Sequence, residues 1–220
     1  MLDSMFGRRM PICRGSIALL WLMSGCASPE GTSEAPPPAL ETESVTEVEA
    51  SPAEQWWSRL EALCGQAFEG KLVSQDEADR ELADQNMTMH VRRCEEDRLE
   101  IPFHIGDNRS RTWVLTRTAT GIQLQHDHRH EDGSEDEVTL YGGQTDVPGS
   151  ESMQHFPADD YSKQLFETHG LDVSVANVWS MEVVPGERFS YVLRRPQRHF
   201  QADFDLGRPV EPPPAPWGHE

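Results

Sequence analysis

Residues 111–128, RTWVLTRTATGIQLQHDH, contain two strand-like runs, one on each side of Thr120-Gly121. The first is rich in β-branched and aromatic residues, and the second alternates apolar and polar side chains. Alternation with a period of two is typical of strands that bury one face, and a glycine between two such runs marks a tight turn. The stretch therefore predicts a β-hairpin. Similar segments, separated by Gly, Asp, Asn or Pro, occur at 67–74, 87–94, 99–105, 137–142, 177–184, 188–195 and 199–206.

These strands predict a mainly β fold, an antiparallel eight- or nine-stranded barrel or a two-sheet sandwich, with an N-terminal helix and one inserted helix. Pro185-Gly186 marks a second hairpin. The N-terminal helix begins with Ser51, Pro52 and Glu54, which form a capping box with proline in the first turn. The inserted helix is expected near residues 158–168.

A helix followed by a meander of strands resembles the lipocalin and calycin pattern, which implies a calycin-like barrel and no particular ligand. The domain is also similar to a group of uncharacterised bacterial secreted proteins. They share runs such as IPFHIGDNRSRTWVLTRT (101–118) and HDHRHEDGSED (126–136). This resemblance covers most of the domain and implies no activity.

The first 25 residues have the layout of a secretory signal peptide: basic residues, the apolar run SIALLWLM and small residues before a cysteine. The stretch LMSGC (22–26) resembles the lipobox of bacterial lipoproteins, which implies that Cys26 carries the lipid anchor. The alternative is an ordinary cleaved signal peptide. In the lipoproteins that this signal resembles, a residue other than Asp after the cysteine accompanies sorting to the outer membrane. With Ala27 at that position, the resemblance implies an outer-membrane protein of the cell envelope that faces the periplasm.

Composition divides the rest of the chain. Residues 26–50 are acidic and proline-rich with no basic or aromatic residue, which predicts a disordered tether. Residues 51–207 form one β-rich globular domain, and the proline-rich residues 208–220 form a C-terminal tail. The net charge of −19 disfavours binding to nucleic acid or to anionic headgroups.

Export also decides how the cysteines are interpreted. Cys13 lies in the signal peptide and Cys26 is the lipid site, which leaves Cys64 and Cys94 in an oxidising compartment. Their wide spacing does not match a C-x-x-C redox motif. The sequence therefore predicts a structural disulfide between them.

The segment HDHRHEDG (126–133) carries the main functional signal. His126, His128 and His130 share the strand phase of Ile122 and Leu124, so the histidines should continue the apolar face. One interpretation is a divalent-metal site for Zn, Cu, Ni or Mn that also includes a carboxylate across the turn. Its proposed ligands are His126, His128, His130 and Glu135.

Two other interpretations remain open. In one, the histidines join a small-molecule pocket lined by Trp113, Arg117, Tyr141 and Trp179. In the other, the hairpin end is solvated and the histidines pair with neighbouring carboxylates. Arg109 and Arg111 could hold an anion, although such arginines more often pair with surface carboxylates in an acidic chain.

No catalytic residue is assigned, because the chain contains no Gly-x-Ser-x-Gly elbow, phosphate-binding glycine loop or His-Glu-x-x-His helix. The leading hypothesis is a lipid-anchored envelope protein that binds a small molecule or an envelope protein without catalysis. The alternative is a metal-binding protein or metalloenzyme that uses the histidine cluster.

Overall fold

The computed structural model describes residues 49–219. The predicted signal peptide at residues 1–25, the lipidation site Cys26 and nearly all of the predicted tether at 26–50 lie outside the described residues. These predictions remain open. Among residues 49–219, no helix is both long and apolar enough to cross a lipid bilayer.

Eleven antiparallel strands make up one sheet. They are β1 (Ala67–Leu72), β2 (Met87–His90), β3 (Arg93–Glu95), β4 (Arg98–Ile105), β5 (Asn108–Thr118), β6 (Gly121–His128), β7 (Tyr141–Gln144), β8 (Met153–Pro157), β9 (Val178–Val184), β10 (Arg188–Arg195) and β11 (Arg198–Val210). Their order is β7-β6-β5-β4-β2-β1-β11-β10-β9-β8, and β3 pairs with β4 beside this path. The hairpins at Thr120-Gly121 and Pro185-Gly186 are formed as predicted, since β5 pairs with β6 and β9 with β10.

The two end strands of the sheet, β7 and β8, approach each other and nearly close it into a barrel. Gly143 and Ala158 form an isolated bridge, and the Asp159 N–H donates to the Gly142 carbonyl at 3.1 Å. A Cβ atom added to Gly143 would lie 1.8 Å from the Pro157 carbonyl oxygen, so glycine permits this approach. The predicted mainly β fold is confirmed, and of its two versions the structure matches the barrel.

The strands differ from the sequence expectation in three places. The predicted run 87–94 is split, because β4 pairs with β3 at its start and with β2 at its end. The strand expected at 137–142 begins only at Tyr141, because Leu140 adopts a φ of 56°, which interrupts an extended run. The short strand β8 was not predicted. The sheet therefore has eleven strands instead of eight or nine.

Helix α1 (Pro52–Glu61) has the predicted capping box, with the Ser51 hydroxyl accepting from Glu54 N–H and the Glu54 carboxylate accepting from Ser51 N–H. Trp56, Trp57 and Leu60 are fully buried against the sheet. Arg117, near the β5–β6 turn, lies over the Trp57 ring at 4.6 Å. Helix α1 therefore covers the end of the barrel at which this turn lies.

Helix α2 (Asp160–Thr168) is the inserted helix, and the Asp159 side chain caps it by accepting from Ser162 N–H. A short 3-10 helix, Glu77–Leu82, follows β1. The predicted disulfide between Cys64 and Cys94 is confirmed, with a Cα–Cα distance of 6.2 Å. It ties the turn after α1 to β3, which lies beside the main sheet.

Residues 211–219 follow β11 and lie against the outer face of the barrel. The Trp217 N–H donates to the Arg109 carbonyl, and the Arg109 guanidinium donates to the Ala215 carbonyl at 2.8 Å. At the end of the segment, His219 Nε2 lies 2.8 Å from the Asp127 carboxylate. The C-terminal segment therefore covers outward-facing polar side chains of β5 and β6.

Candidate functional site

A cavity of about 200 Å³ opens at the end of the barrel away from α1. It is bounded by side chains of β4, β5, β6, β7, β10 and β11 and by the 3-10 helix. The apolar and aromatic lining consists of Leu82, Phe103, Ile105, Trp113, Tyr141, Tyr191, Leu193 and Phe200. The remaining lining residues are Asp79, Arg111, Thr112, His126, His128 and Arg198.

Stacked rings form the floor of the cavity. The Trp113 ring stacks on both Phe103 and Tyr191, with centroids 4.7 Å and 4.5 Å away, and these two rings are 6.3 Å from each other. All three side chains are buried, because alternate residues of β4, β5 and β10 point into the barrel. The floor is therefore a broad apolar surface that is fixed by packing on the core below it.

His126 is 4% exposed, and both of its ring nitrogens have protein partners. Nδ1 lies 3.1 Å from the Tyr141 carbonyl oxygen, and Nε2 lies 2.7 Å from the Tyr191 hydroxyl. A carbonyl can only accept, so Nδ1 carries the proton and Nε2 accepts from Tyr191. Burial lowers the pKa of His126 to about 3, and the imidazole is neutral at physiological pH.

His128 lies at the end of β6, nearer the opening of the cavity. Its Nε2 atom is 3.2 Å from the Tyr141 hydroxyl. Burial, reinforced by the positive charge of Arg111, lowers the pKa of His128 to about 4. Burial also raises the pKa of Tyr141 to about 12. Both groups are neutral near pH 7 and offer hydrogen bonds without charge.

Arg111 supplies a positive charge to the cavity wall. Its guanidinium donates through one nitrogen to the Asn108 side-chain oxygen and the Ser110 hydroxyl, both at 3.1 Å. Across residues 49–219, no carboxylate forms an ion pair with it. The remaining donors of its planar fork are therefore available to a ligand.

Arg198, the second cation of the lining, is neutralised by carboxylates. Two of its nitrogens lie 2.5 Å and 2.6 Å from the two Asp79 oxygens, and Asp76 is 3.2 Å away. The hydrogen bond to Asp79 raises the pKa of Arg198. Asp79 is only 3% exposed, so the 3-10 helix is held to the start of β11 by a buried ion pair.

The predicted strand phase holds for most of the histidine segment. Ile122, Leu124 and His126 are buried, and His128 faces the cavity. His130 is exposed, because β6 ends at His128 and the chain then turns. The outward-facing Asp127 is also buried, since Arg129 and the C-terminal segment cover it.

The structure does not assemble the predicted metal ligands. His126 is committed to two hydrogen bonds, His130 faces solvent, and Glu135 pairs with Arg129 at 3.1 Å. Within the described part of the chain, no group of three or more His, Cys, Asp or Glu side chains is placed to hold a metal ion. The i, i+2 spacing suggested that the three histidines converge, but the turn after β6 carries His130 away from His126 and His128.

The four residues predicted for a small-molecule pocket are divided by the structure. Trp113 and Tyr141 line the cavity. Trp179 packs below it, with its ring 4.9 Å from His126. Arg117 shares the inward face of β5 with Arg111, but it lies six positions further along the strand, about 20 Å away, which places Arg117 at the α1 end.

Several lining residues were missed from the sequence, among them Phe103, Tyr191, Phe200, Asp79 and Arg198. The period-two pattern of their strands could have placed Phe103 and Tyr191 on inner faces. It could not have shown which strands become neighbours across the barrel. Comparisons with protein-family models, curated proteins and solved structures found no match to this chain.

Proposed function

We propose that this protein is a lipid-anchored component of the bacterial cell envelope whose barrel binds a small molecule at its open end without transforming it. The cavity is the observation that carries this proposal. Within residues 49–219, it combines an aromatic floor with a few polar groups and one available cation, Arg111, which is the usual composition of a small-molecule site.

The hydrogen bonding of the polar groups favours binding over catalysis. Both ring nitrogens of His126 are occupied, and the Tyr191 proton is directed to His126. A general base needs a free acceptor within reach of the ligand and a pKa near the working pH, whereas the pKa of His128 is lowered to about 4. These groups are suited to orienting a ligand through fixed donors and acceptors.

A screen of single-ring compounds by ligand-observed NMR tests the proposal. Purified full-length protein should bind a subset of them, and Leu82→Trp should abolish that binding by filling the cavity that Leu82 lines. Val173→Trp is the matched control, because it adds the same side chain at a position that is 67% exposed. Binding that survives Leu82→Trp, or no binding by any compound, would contradict the proposal.

The anchor is tested separately. Cys26 lies outside the described residues, and the proposal that it is lipidated rests on the lipobox-like stretch LMSGC. In bacteria that express the chain, labelled palmitate should be incorporated into the parent and lost in Cys26→Ala. Fractionation should recover the parent with the outer membrane, facing the periplasm. A parent chain without label would overturn the anchor and leave the binding proposal intact.

A further inference from the structure

The charges around the cavity indicate which ligand it takes, an inference that rests on the proposed binding function. We infer that the cavity binds a small organic anion, a single ring that carries a carboxylate. The carboxylate is placed against Arg111 and the ring over the stacked floor of Trp113 and Tyr191. This site has an anion-binding end and an apolar end.

The anion-binding end is inferred from the ion pairs of the charged side chains that line the cavity. Asp79 is the only carboxylate that lines the cavity within residues 49–219, and it is bound by Arg198 through two contacts. Arg111 has no carboxylate partner in that same part of the chain, and its planar fork matches the geometry of a carboxylate. Among the lining residues, Asp79 offsets Arg198 and the charge of Arg111 is left without a counterpart, so their balance is positive. Asp76, the second partner of Arg198, does not line the cavity.

Other carboxylates near this end are engaged elsewhere. Asp127 and Asp136 both affect the pKa of His128, so their charges reach the cavity opening. Asp127 is bound by Arg129 and His219 on the outer face of β6. Asp136 is held by the backbone N–H of Val138 at 2.8 Å and does not line the cavity. Arg111 lines the cavity, whereas neither of these two carboxylates does.

The size and the lining of the cavity define the rest of the ligand. A volume of about 200 Å³ equals roughly seven molecules of liquid water, which suits one ring with a short substituent. The Tyr191 hydroxyl donates to His126, so its oxygen offers only acceptor lone pairs to the cavity. The neutral His128 and Tyr141 add hydrogen-bonding capacity without a competing negative charge.

Three single-ring compounds of similar size and different charge test the inference: phenylacetate, its neutral isostere 2-phenylacetamide, and the cation phenethylamine. In calorimetric titration of the full-length protein near pH 7, phenylacetate should bind at least tenfold more tightly than either of the others. Arg111→Gln should weaken phenylacetate binding about tenfold or more and leave the amide unaffected. Arg194→Gln removes the same charge from an exposed position of β10 and should change neither.

The outcomes separate the ligand class from the binding function. Preference for phenylacetate that depends on Arg111 supports the organic anion. Equal or tighter binding of the amide or the amine, still abolished by Leu82→Trp, overturns the anion and preserves the proposed binding site. If none of the three binds at millimolar concentration, the anion is rejected, and the wider compound screen decides the binding function. Thermal melts of each variant establish that it is folded before titration.

Discussion

Acid should destabilise this protein through histidines that the fold keeps neutral, and His128 allows a direct test. Burial lowers its pKa to about 4, whereas an unfolded chain protonates histidine near 6.5. As pH falls below 6.5, the unfolded state takes up a proton that the folded state does not bind. The free energy of unfolding therefore decreases until pH reaches about 4, below which both states are protonated and the loss is complete.

The size of the effect follows from the two pKa values. Protonation of His128 stabilises the unfolded state relative to the folded state by about 1.4 kcal/mol for each pH unit below 6.5. At pH 5.0, which is 1.5 units below 6.5, this stabilisation is about 2 kcal/mol. His128 is partly exposed, so water reduces this to about 1–2 kcal/mol. Relative to pH 7.5, the parent should therefore lose about 1–2 kcal/mol more of its stability at pH 5.0 than the variant His128→Gln does.

Urea unfolding followed by tryptophan fluorescence at the two pH values measures this difference. Any change in stability that the substitution causes at both pH values cancels in the comparison. His130→Gln is the matched control from the same segment, because His130 is exposed in the folded protein. Between pH 7.5 and pH 5.0, this variant should lose as much stability as the parent. Equal losses in the parent and His128→Gln would refute the argument that the fold keeps His128 neutral.

Three further changes test the framework around the cavity. Replacing both Cys64 and Cys94 by Ala should lower the free energy of unfolding by about 3–4 kcal/mol, because the disulfide spans 30 residues, and should lower Tm by about 10 °C. An unchanged Tm would contradict a stabilising role for the disulfide. Asp79→Asn should cost about 3 kcal/mol in urea unfolding, because Arg198 loses its two contacts to the buried carboxylate and keeps only Asp76 at 3.2 Å, whereas Glu77→Gln, in an exposed ion pair, should cost under about 0.5 kcal/mol; equal costs would contradict the buried pair. Gly143→Ala should open the contact between β7 and β8 and speed amide exchange in both strands, and unchanged protection would show that closure does not need glycine there.

Local patterns predicted those features that depend on local interactions. The capping box at Ser51 and the hairpin turn at Gly121 each depend on neighbours within a few residues, and both are formed. The alternation of β6 correctly placed Ile122 and Leu124 in the core. These features follow from backbone geometry and side-chain phase, which a short stretch of sequence contains.

The cavity itself depends on contacts between strands that are distant in the chain. Tyr191 meets His126 across 65 residues, and Arg198 meets Asp79 across 119. No period in the sequence indicates these pairings, so Tyr191, Asp79 and Arg198 were not predicted at the site, although His126 was. The alternating pattern of β6 continues through His130 and does not indicate that the strand ends at His128. His130 was therefore expected beside the other two histidines. Barrel closure at Gly143 is likewise a long-range property.

The most direct test of the central claim is the position of phenylacetate in the bound protein. Intermolecular nuclear Overhauser effects in the full-length protein should connect the ligand ring to the side chains of Trp113 and Tyr191. A ligand whose contacts fall instead on the C-terminal segment or on α1, with none to these two rings, would contradict a binding site at the open end of the barrel.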